Sequence, residues 1–197
     1  MYHILYNKYL RVYSYFGKRG FDIFFAFSGL LFFSPILLSA YALVRWKLRK
    51  PVFYKHKRPG KYGAPFILYK FRTMNEDTDI NGNLLPDAKR ITGLGKFLRS
   101  TSIDELPELW NVLKGDMSLI GPRPLLMEYL DRYTSEQARR HEVKPGITGW
   151  AQVNGRNAIR FAERFKLDVW YVDNLCFFYL FRNSGGCHSN TIILKRY

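Results

Sequence analysis

From Phe21 to Val44 the chain is almost continuously apolar, interrupted at its middle by Ser34-Pro35 and holding no Lys, Arg or Glu. A run of this length exposes too much apolar surface for a peripheral helix in water, so the default assignment is a membrane segment. Its flanks constrain the topology. Lys18 and Arg19 precede the run, and Arg45, Lys47, Arg49 and Lys50 follow it, so the basic bias that orients spanning helices points the same way at both ends. A helix that enters the bilayer, bends at Ser34-Pro35 and returns to the same face satisfies both clusters. Pro35 removes a backbone donor and opposes the preceding turn, and the Ser34 hydroxyl can occupy a freed carbonyl. A straight spanning helix, rising roughly 1.5 Å per residue, is also long enough to cross, and physics alone leaves both topologies open. Asp22 lies beside Lys18 and Arg19, where it can pair with them or face a helix N-terminus as an interfacial anchor.

The 197 residues suffice for one compact domain beyond this segment. A formal charge of +15 is spread along the chain rather than confined to a tail. Such a field favours anionic partners: lipid headgroups, nucleotides, phosphates or nucleic acid. Beside an apolar anchor, an anionic phospholipid surface is the simplest of these, and nucleic acid is not expected because no recognisable docking module accompanies the charge. The first seventeen residues mix Tyr, Lys and Arg without a small-residue cleavage site, so no cleaved signal peptide is expected and the part after the anchor is placed on the cytoplasmic side. Cys176 and Cys187 make no disulfide framework, and with His188 they lack a familiar metal-ligand spacing.

Residues from about Val52 to Arg58 and from about Phe66 to Met74 read as two short strands of a hairpin around the Gly- and Pro-rich turn between them. Asn75 to Lys89 is acidic and polar and reads as a mobile loop. Gly93 and Gly95 precede a short helix reaching about Leu98. Ser102 to Glu105 fits a capping box that opens a helix with the apolar stripe Leu106, Leu109, Trp110 and Leu113. Met117 to Ile120 is too short to assign. Pro124 can begin a helix containing Leu126, Tyr129, Leu130, Tyr133 and Ala138, which Lys144-Pro145-Gly146 ends, and a further amphipathic segment covers about Ile159 to Val172.

Asp104-Glu105 is the pair that invites chemistry. Adjacent carboxylates near a helix start can both stay close to one ligand, furnishing a nucleophile and an oxygen ligand for Mg2+. Ordinary helix capping is the competing explanation. Arg99 precedes the pair, and Arg123 sits between two prolines that fix its backbone and aim it at a diphosphate. Arg72, Lys144 and Arg156 are further candidates, and convergence in one cleft distinguishes them from surface charges.

Together these residues resemble a known family, the bacterial sugar transferases that act as small monotopic polyprenyl-phosphate phosphoglycosyl transferases. The resemblance covers roughly Lys18 to Asn174. It is carried by Lys18-Arg19-Gly20-Phe21-Asp22, Ser34-Pro35, Lys70-Phe71-Arg72-Thr73-Met74, Ser102-Ile103-Asp104-Glu105-Leu106-Pro107, Gly115-Asp116-Met117-Ser118, Gly121-Pro122-Arg123-Pro124 and Lys144-Pro145-Gly146-Ile147-Thr148-Gly149-Trp150. It implies an α+β, mostly helical monotopic membrane protein with a re-entrant N-terminal helix hairpin and a small β-hairpin. The implied organisation is an interfacial segment over 1–17, a re-entrant helix over 18–48, a cytoplasmic catalytic domain over 49–174 and an atypical interfacial tail over 175–197. The implied location is the bacterial inner membrane.

The implied activity is transfer of a sugar-1-phosphate from a UDP-sugar to undecaprenyl or another polyprenyl phosphate with release of UMP, the first membrane-committed step of glycoconjugate assembly. The resemblance makes Asp104 the nucleophile of a ping-pong route through a covalent phosphosugar and Glu105 the Mg2+ ligand. It gives Arg123 and Arg99 the phosphates to orient, and it places Asp168 near the active site. After Asn174 the chain departs from the family pattern. The rival class is a non-catalytic membrane adaptor that binds anionic lipid, in which Asp104 and Glu105 merely cap a helix.

Overall fold

The computed structural model describes residues 2–155 and 159–174, with side chains from residue 17 onward. Helix α1 (Tyr2–Phe32) runs without a break past residue 17 and meets α2 (Ser34–Lys47) at Phe33, where the axis bends by 62°. The chemistry of the bend is the one expected of Ser-Pro. Pro35 has no N–H to give the Leu31 carbonyl, and the Ser34 hydroxyl donates to that carbonyl instead at 2.7 Å. Among the described residues no single helix is long and apolar enough to cross a membrane, whereas the two arms together have the length and composition to do so. Phe24, Phe27, Leu31, Phe32, Leu38 and Trp46 are exposed on the arms.

The inner sides of the arms are small. Ala26 packs with Phe66, Leu68, Val112 and Met117, while Ala40 and Val44 pack with Leu48, Val52, Phe71 and Leu98. Both clusters close on an antiparallel hairpin, β1 (Phe53–Pro59) with β2 (Pro65–Phe71), in register from Phe53 opposite Phe71 to Pro59 opposite Pro65. The second strand ends three residues before the expected Met74. Arg72 N–H still bonds the Val52 carbonyl, and then the Thr73 carbonyl turns to the segment before the next helix, where it accepts from Thr92 N–H.

The acidic stretch after Asn75 is an exposed loop up to Pro86, with local order at its tip. Thr78 bridges Leu84, and the Asp79 carboxylate accepts the N–H groups of Asn81 and Asn83. Helix α3 (Asp87–Arg90) follows, then α4 (Gly93–Ser100), whose Thr92 cap accepts Gly95 N–H at 3.0 Å. A Cβ on Gly95 would stand 1.9 Å from the Thr73 carbonyl oxygen, so only glycine fits.

The expected capping box at Ser102 does not form. Ser102 adopts φ +58°, its side chain caps nothing, and Ile103–Glu105 make a 3-10 turn before α5 (Glu108–Lys114) begins. Pro107 cannot donate back to the Ile103 carbonyl, which accepts Leu106 N–H instead, so the turn tightens and the helix restarts beyond the proline. Arg19 closes the other end of α5, donating to the Val112 and Leu113 carbonyls at 2.5 and 2.9 Å. Gly115 there takes φ +93° beneath the Arg19 guanidinium.

Met117 to Ile120 contains β3 (Ser118–Ile120), which pairs in parallel with β4 (Gly146–Thr148). The single helix expected to begin at Pro124 and end at Lys144-Pro145-Gly146 is corrected. A 3-10 segment Met127–Arg132, helix α6 (Ser135–Ala138) and a second 3-10 segment Arg139–Glu142 take its place. Thr134 interrupts: its side chain accepts Gln137 N–H while the Gln137 side chain accepts Thr134 N–H, a capping box that starts the chain afresh. Helices α7 (Trp150–Val153) and α8 (Phe161–Asp173) complete the described chain, joined by stacking of Trp150 on Trp170. The fold is thus α+β with a bent N-terminal helix pair.

Candidate active site

Asp104 and Glu105 project from the 3-10 turn between α4 and α5. Asp104 is 8% exposed. Glu105 lies between two cations: Lys70 of β2 donates at 2.6 Å, and Arg123 of the Gly121-Pro122-Arg123-Pro124 loop donates through both terminal nitrogens. Lys70 also reaches Glu108, one turn beyond Glu105, at 3.1 Å. Three carboxylates therefore gather around two cations at the start of α5.

Their electrostatics differ by surroundings. Burial raises the Asp104 carboxyl above its ordinary range; Lys70 and Arg99 pull it down, and Glu105 adds to the rise. Burial also acts on Glu105, but the hydrogen bond and charge of Arg123, with Lys70, outweigh it and hold that carboxyl below its ordinary range. Glu108, almost without solvent contact, is pushed up to about 7 by burial despite Lys70. Arg123 loses solvation, yet the Glu105 carboxylate bonded to it keeps its pKa above the ordinary value.

The other residues singled out in the sequence go to several places. Arg99 stays near Asp104, its Nε donating to the Thr73 hydroxyl at 3.0 Å. Arg72 is turned away, with its terminal nitrogens 3.4–3.5 Å from the Arg49 and Lys50 carbonyls and Glu76. Lys144 stands beside Gly115 with Arg19, Asp22 and Asp116 around it, at the end of α5 remote from the carboxylates. Asp168 on α8 is buried and paired with Arg140 at 2.8 Å. Arg156 and the tail beyond Asn174, including Cys176, Cys187 and His188, lie outside the described residues.

The N-terminal basic cluster is structural glue between α1 and the rest. Lys18 bonds Asp22 at 3.2 Å and also contacts the Ser118 hydroxyl, and Asp22 accepts Leu119 N–H at 3.0 Å. Asp22 therefore faces β3, and the start of α1 lies far from it at Tyr2.

Lys70, which the sequence offers only within the Lys70-to-Met74 motif, and Glu108 are site residues without a sequence-based role, though both leave a signal. Lys70 shares strand parity with Phe66 and Leu68, the buried face of β2, and a charge on a buried face needs a partner. Glu108 follows Glu105 by three residues, the spacing that sets two side chains on one face of a helical turn.

Comparison with known proteins gives the chain a family. The family model described as bacterial sugar transferase matches residues 13–182. An uncharacterized sugar transferase of Bacillus subtilis, EpsL, is 62% identical over 161 residues, covering 82% of this chain and 80% of the relative. The undecaprenyl-phosphate galactose phosphotransferase of Salmonella typhimurium is 40% identical over 178 residues, 82% of this chain and 37% of the relative. A UDP-N-acetylgalactosamine-undecaprenyl-phosphate N-acetylgalactosaminephosphotransferase of Aeromonas hydrophila is 41% identical over 167 residues, 81% of this chain and 40% of the relative. This chain thus spans well under half the length of the last two. The chain belongs to the bacterial sugar transferase family.

Proposed function

We propose that this chain is a phosphoglycosyl transferase that moves a sugar-1-phosphate from a UDP-sugar to undecaprenyl phosphate or another polyprenyl phosphate, releasing UMP. The observation that carries the reading is the cluster at the start of α5: a nearly buried Asp104 beside a Glu105 already neutralised by Lys70 and Arg123. Cations held this way have their counterpart in a diphosphate, whose charge they can take up in place of the carboxylate.

In the first step an Asp104 oxygen attacks the phosphorus bearing the sugar. The bond from that phosphorus to UMP breaks, UMP leaves with the electron pair, and an acyl phosphate remains on Asp104. In the second step a phosphate oxygen of the polyprenyl carrier attacks the same phosphorus. The acyl-phosphate bond breaks and the Asp104 carboxylate is regenerated, so no proton is consumed overall. Arg123 and Arg99 orient the phosphates through both steps.

Glu105 is the proposed magnesium ligand, and its hard carboxylate oxygens suit that ion. A magnesium ion held by one or two carboxylates would complete its shell with water and substrate oxygens. Magnesium, when bound, offsets phosphate charge and makes UMP a better leaving group.

The bent α1–α2 pair is proposed to enter and leave one leaflet of the bacterial inner membrane, with the catalytic part facing the cytoplasm against anionic phospholipid. Its exposed aromatic and leucine side chains support this, as do Phe97 on α4 and Trp110 on α5, about half exposed on either side of the carboxylate turn. A site beside the leaflet meets the carrier phosphate while the carrier chain stays in lipid.

The decisive experiment is UMP release from a panel of UDP-sugars with undecaprenyl phosphate and magnesium, run on detergent-solubilised wild type and Asp104→Asn. Release by wild type alone supports the transferase. Absence from both, across a broad panel and with native lipids, leaves the lipid-binding adaptor.

A further inference from the structure

Arg140 contributes nothing to the surface and touches no carboxylate of the α5 cluster, yet it holds the backbone of a residue that does. It is 2% exposed and sits on the 3-10 segment Arg139–Glu142. Its Nε and Nη2 reach Asp168 Oδ2 at 3.1 and 2.8 Å, its Nη1 donates to the Tyr133 hydroxyl at 3.0 Å, and its Nη2 donates to the Arg123 carbonyl at 2.8 Å. The guanidinium carbon lies 5.4 Å from the Phe165 ring centroid and 5.8 Å from that of Tyr133, so aromatic walls limit its choice of partners.

We infer that Arg140, oriented by Asp168 and Tyr133, is a positioning residue that fixes the backbone of Arg123 and thereby aims the Arg123 guanidinium at Glu105. Pro122 and Pro124 flank Arg123 and leave its backbone few conformations. The Arg140 hydrogen bond selects among them by holding the Arg123 carbonyl, and the side chain then extends to Glu105 from a fixed root. Both arginines line one small cleft walled by Pro59, Pro122, Pro124 and Pro145, which adds rigidity around that root.

This assigns Asp168 a place behind the site. Its Oδ2 faces Arg140 inside the protein, and a buried carboxylate engaged in this way orients a cation while a substrate phosphate meets Arg123. The alternative is that the Arg140–Asp168 pair merely holds α8 against the 3-10 segment. The two differ in whether the pair acts through Arg123.

The test is a double-mutant cycle on the full chain in detergent. Its kinetic arm rests on the transferase reading. Asp168→Asn and Tyr133→Phe are each made in wild type and in Arg123→Lys, and UMP release is followed. A second readout, independent of turnover, is the Nε–H resonance of Arg123 in 15N-arginine spectra, assigned by its loss in Arg123→Lys.

Because misplacement of a clamp by about 1 Å costs roughly 100-fold, Asp168→Asn should lower kcat by roughly 10- to 100-fold and Tyr133→Phe by roughly 3- to 10-fold, with KM less affected. Neither change should cost more than about twofold further in the Arg123→Lys background, and the Arg123 resonance should shift in both single variants. Equal losses in both backgrounds with an unmoved resonance overturn the inference. If Asp168→Asn does not fold, Tyr133→Phe decides, since it keeps the ring and removes one hydroxyl. If wild type releases no UMP from any donor, the transferase reading fails and the resonance alone decides the positioning role.

Discussion

The Asp22 carboxylate accepts the backbone N–H of Leu119 at 3.0 Å across 97 positions of sequence. Through this bond and the Lys18 contacts, the apolar N-terminal arm is locked to the strand pair next to the candidate active site. Asp22→Ala leaves both Lys18 and Leu119 N–H without that partner and should destabilise the fold by about 2–3 kcal/mol. Asp22→Asn keeps an acceptor for Leu119 and should cost roughly half as much. Thermal unfolding of the detergent-solubilised variants distinguishes them, and equal midpoints for Asp22→Ala and wild type would contradict the lock.

Lys70 serves two carboxylates, so its removal should be costly in a particular way. Lys70→Met leaves Glu108 buried without its cation and should lower stability by about 2 kcal/mol, with turnover falling by roughly 100-fold or more. Adding Glu108→Met removes the orphaned charge and should recover most of the stability without recovering turnover. Recovery of both together would place Lys70 outside the chemistry.

Glu108 and His141 make opposing contributions to stability against pH. Glu108 is raised from 4.5 to about 7, so the native state keeps a proton that the unfolded chain releases; its stabilisation is full below about 4.5 and is lost as pH rises through 7. His141 is lowered from 6.5 to about 4 by burial and by the Arg140 charge, so its stabilisation is present above 6.5 and is lost as pH falls through 4. Measured against wild type, Glu108→Gln should gain on the order of 3 kcal/mol as pH rises from about 4.5 to 7. His141→Gln should show its advantage at the acid end and lose it as pH rises to 6.5. Melting curves between pH 4 and 8 check both slopes, and parallel curves for either variant and wild type would remove that group from the account.

The bend between the arms depends on one missing N–H. Pro35→Ala supplies a donor for the Leu31 carbonyl, which the Ser34 hydroxyl now occupies, and should open the 62° bend. Spin labels at positions 24 and 43 should move apart by several ångströms, measured by pulsed dipolar spectroscopy on variants in lipid nanodiscs. An unchanged distance distribution would assign the bend to packing of Ala40 and Val44.

Local signals in the sequence carried furthest. The Ser34-Pro35 bend and the hairpin turn follow from groups within four residues of one another, and each lies within a residue or two of its expected place apart from the early end of β2, whereas α4 starts at Gly93 and not after Gly95 because Thr92 caps it there. Lys70 carries no local signal beyond its strand parity with Phe66 and Leu68, and its partners Glu105 and Glu108 come from a separate element. The helix expected after Pro124 failed where Thr134 and Gln137 cap each other, a local competition that an apolar 3.6-residue pattern does not register. The parallel pairing of β3 and β4 is different in kind. Each strand is three residues long, and the partner lies beyond two 3-10 segments and a helix. Arg140 is likewise silent in sequence, since its role exists only once Asp168 arrives from α8.

The bond between Asp22 and Leu119 also sets an order of events during synthesis. At roughly 5–20 residues per second, α1 leaves the ribosome about 5–20 s before Leu119 does. During that interval Asp22 and Lys18 have each other but no strand, and Ala26 and Gly29 face no α5. The arm therefore has to survive as a newborn hydrophobic helix, shielded by lipid or by a chaperone, before the elements that it packs against exist.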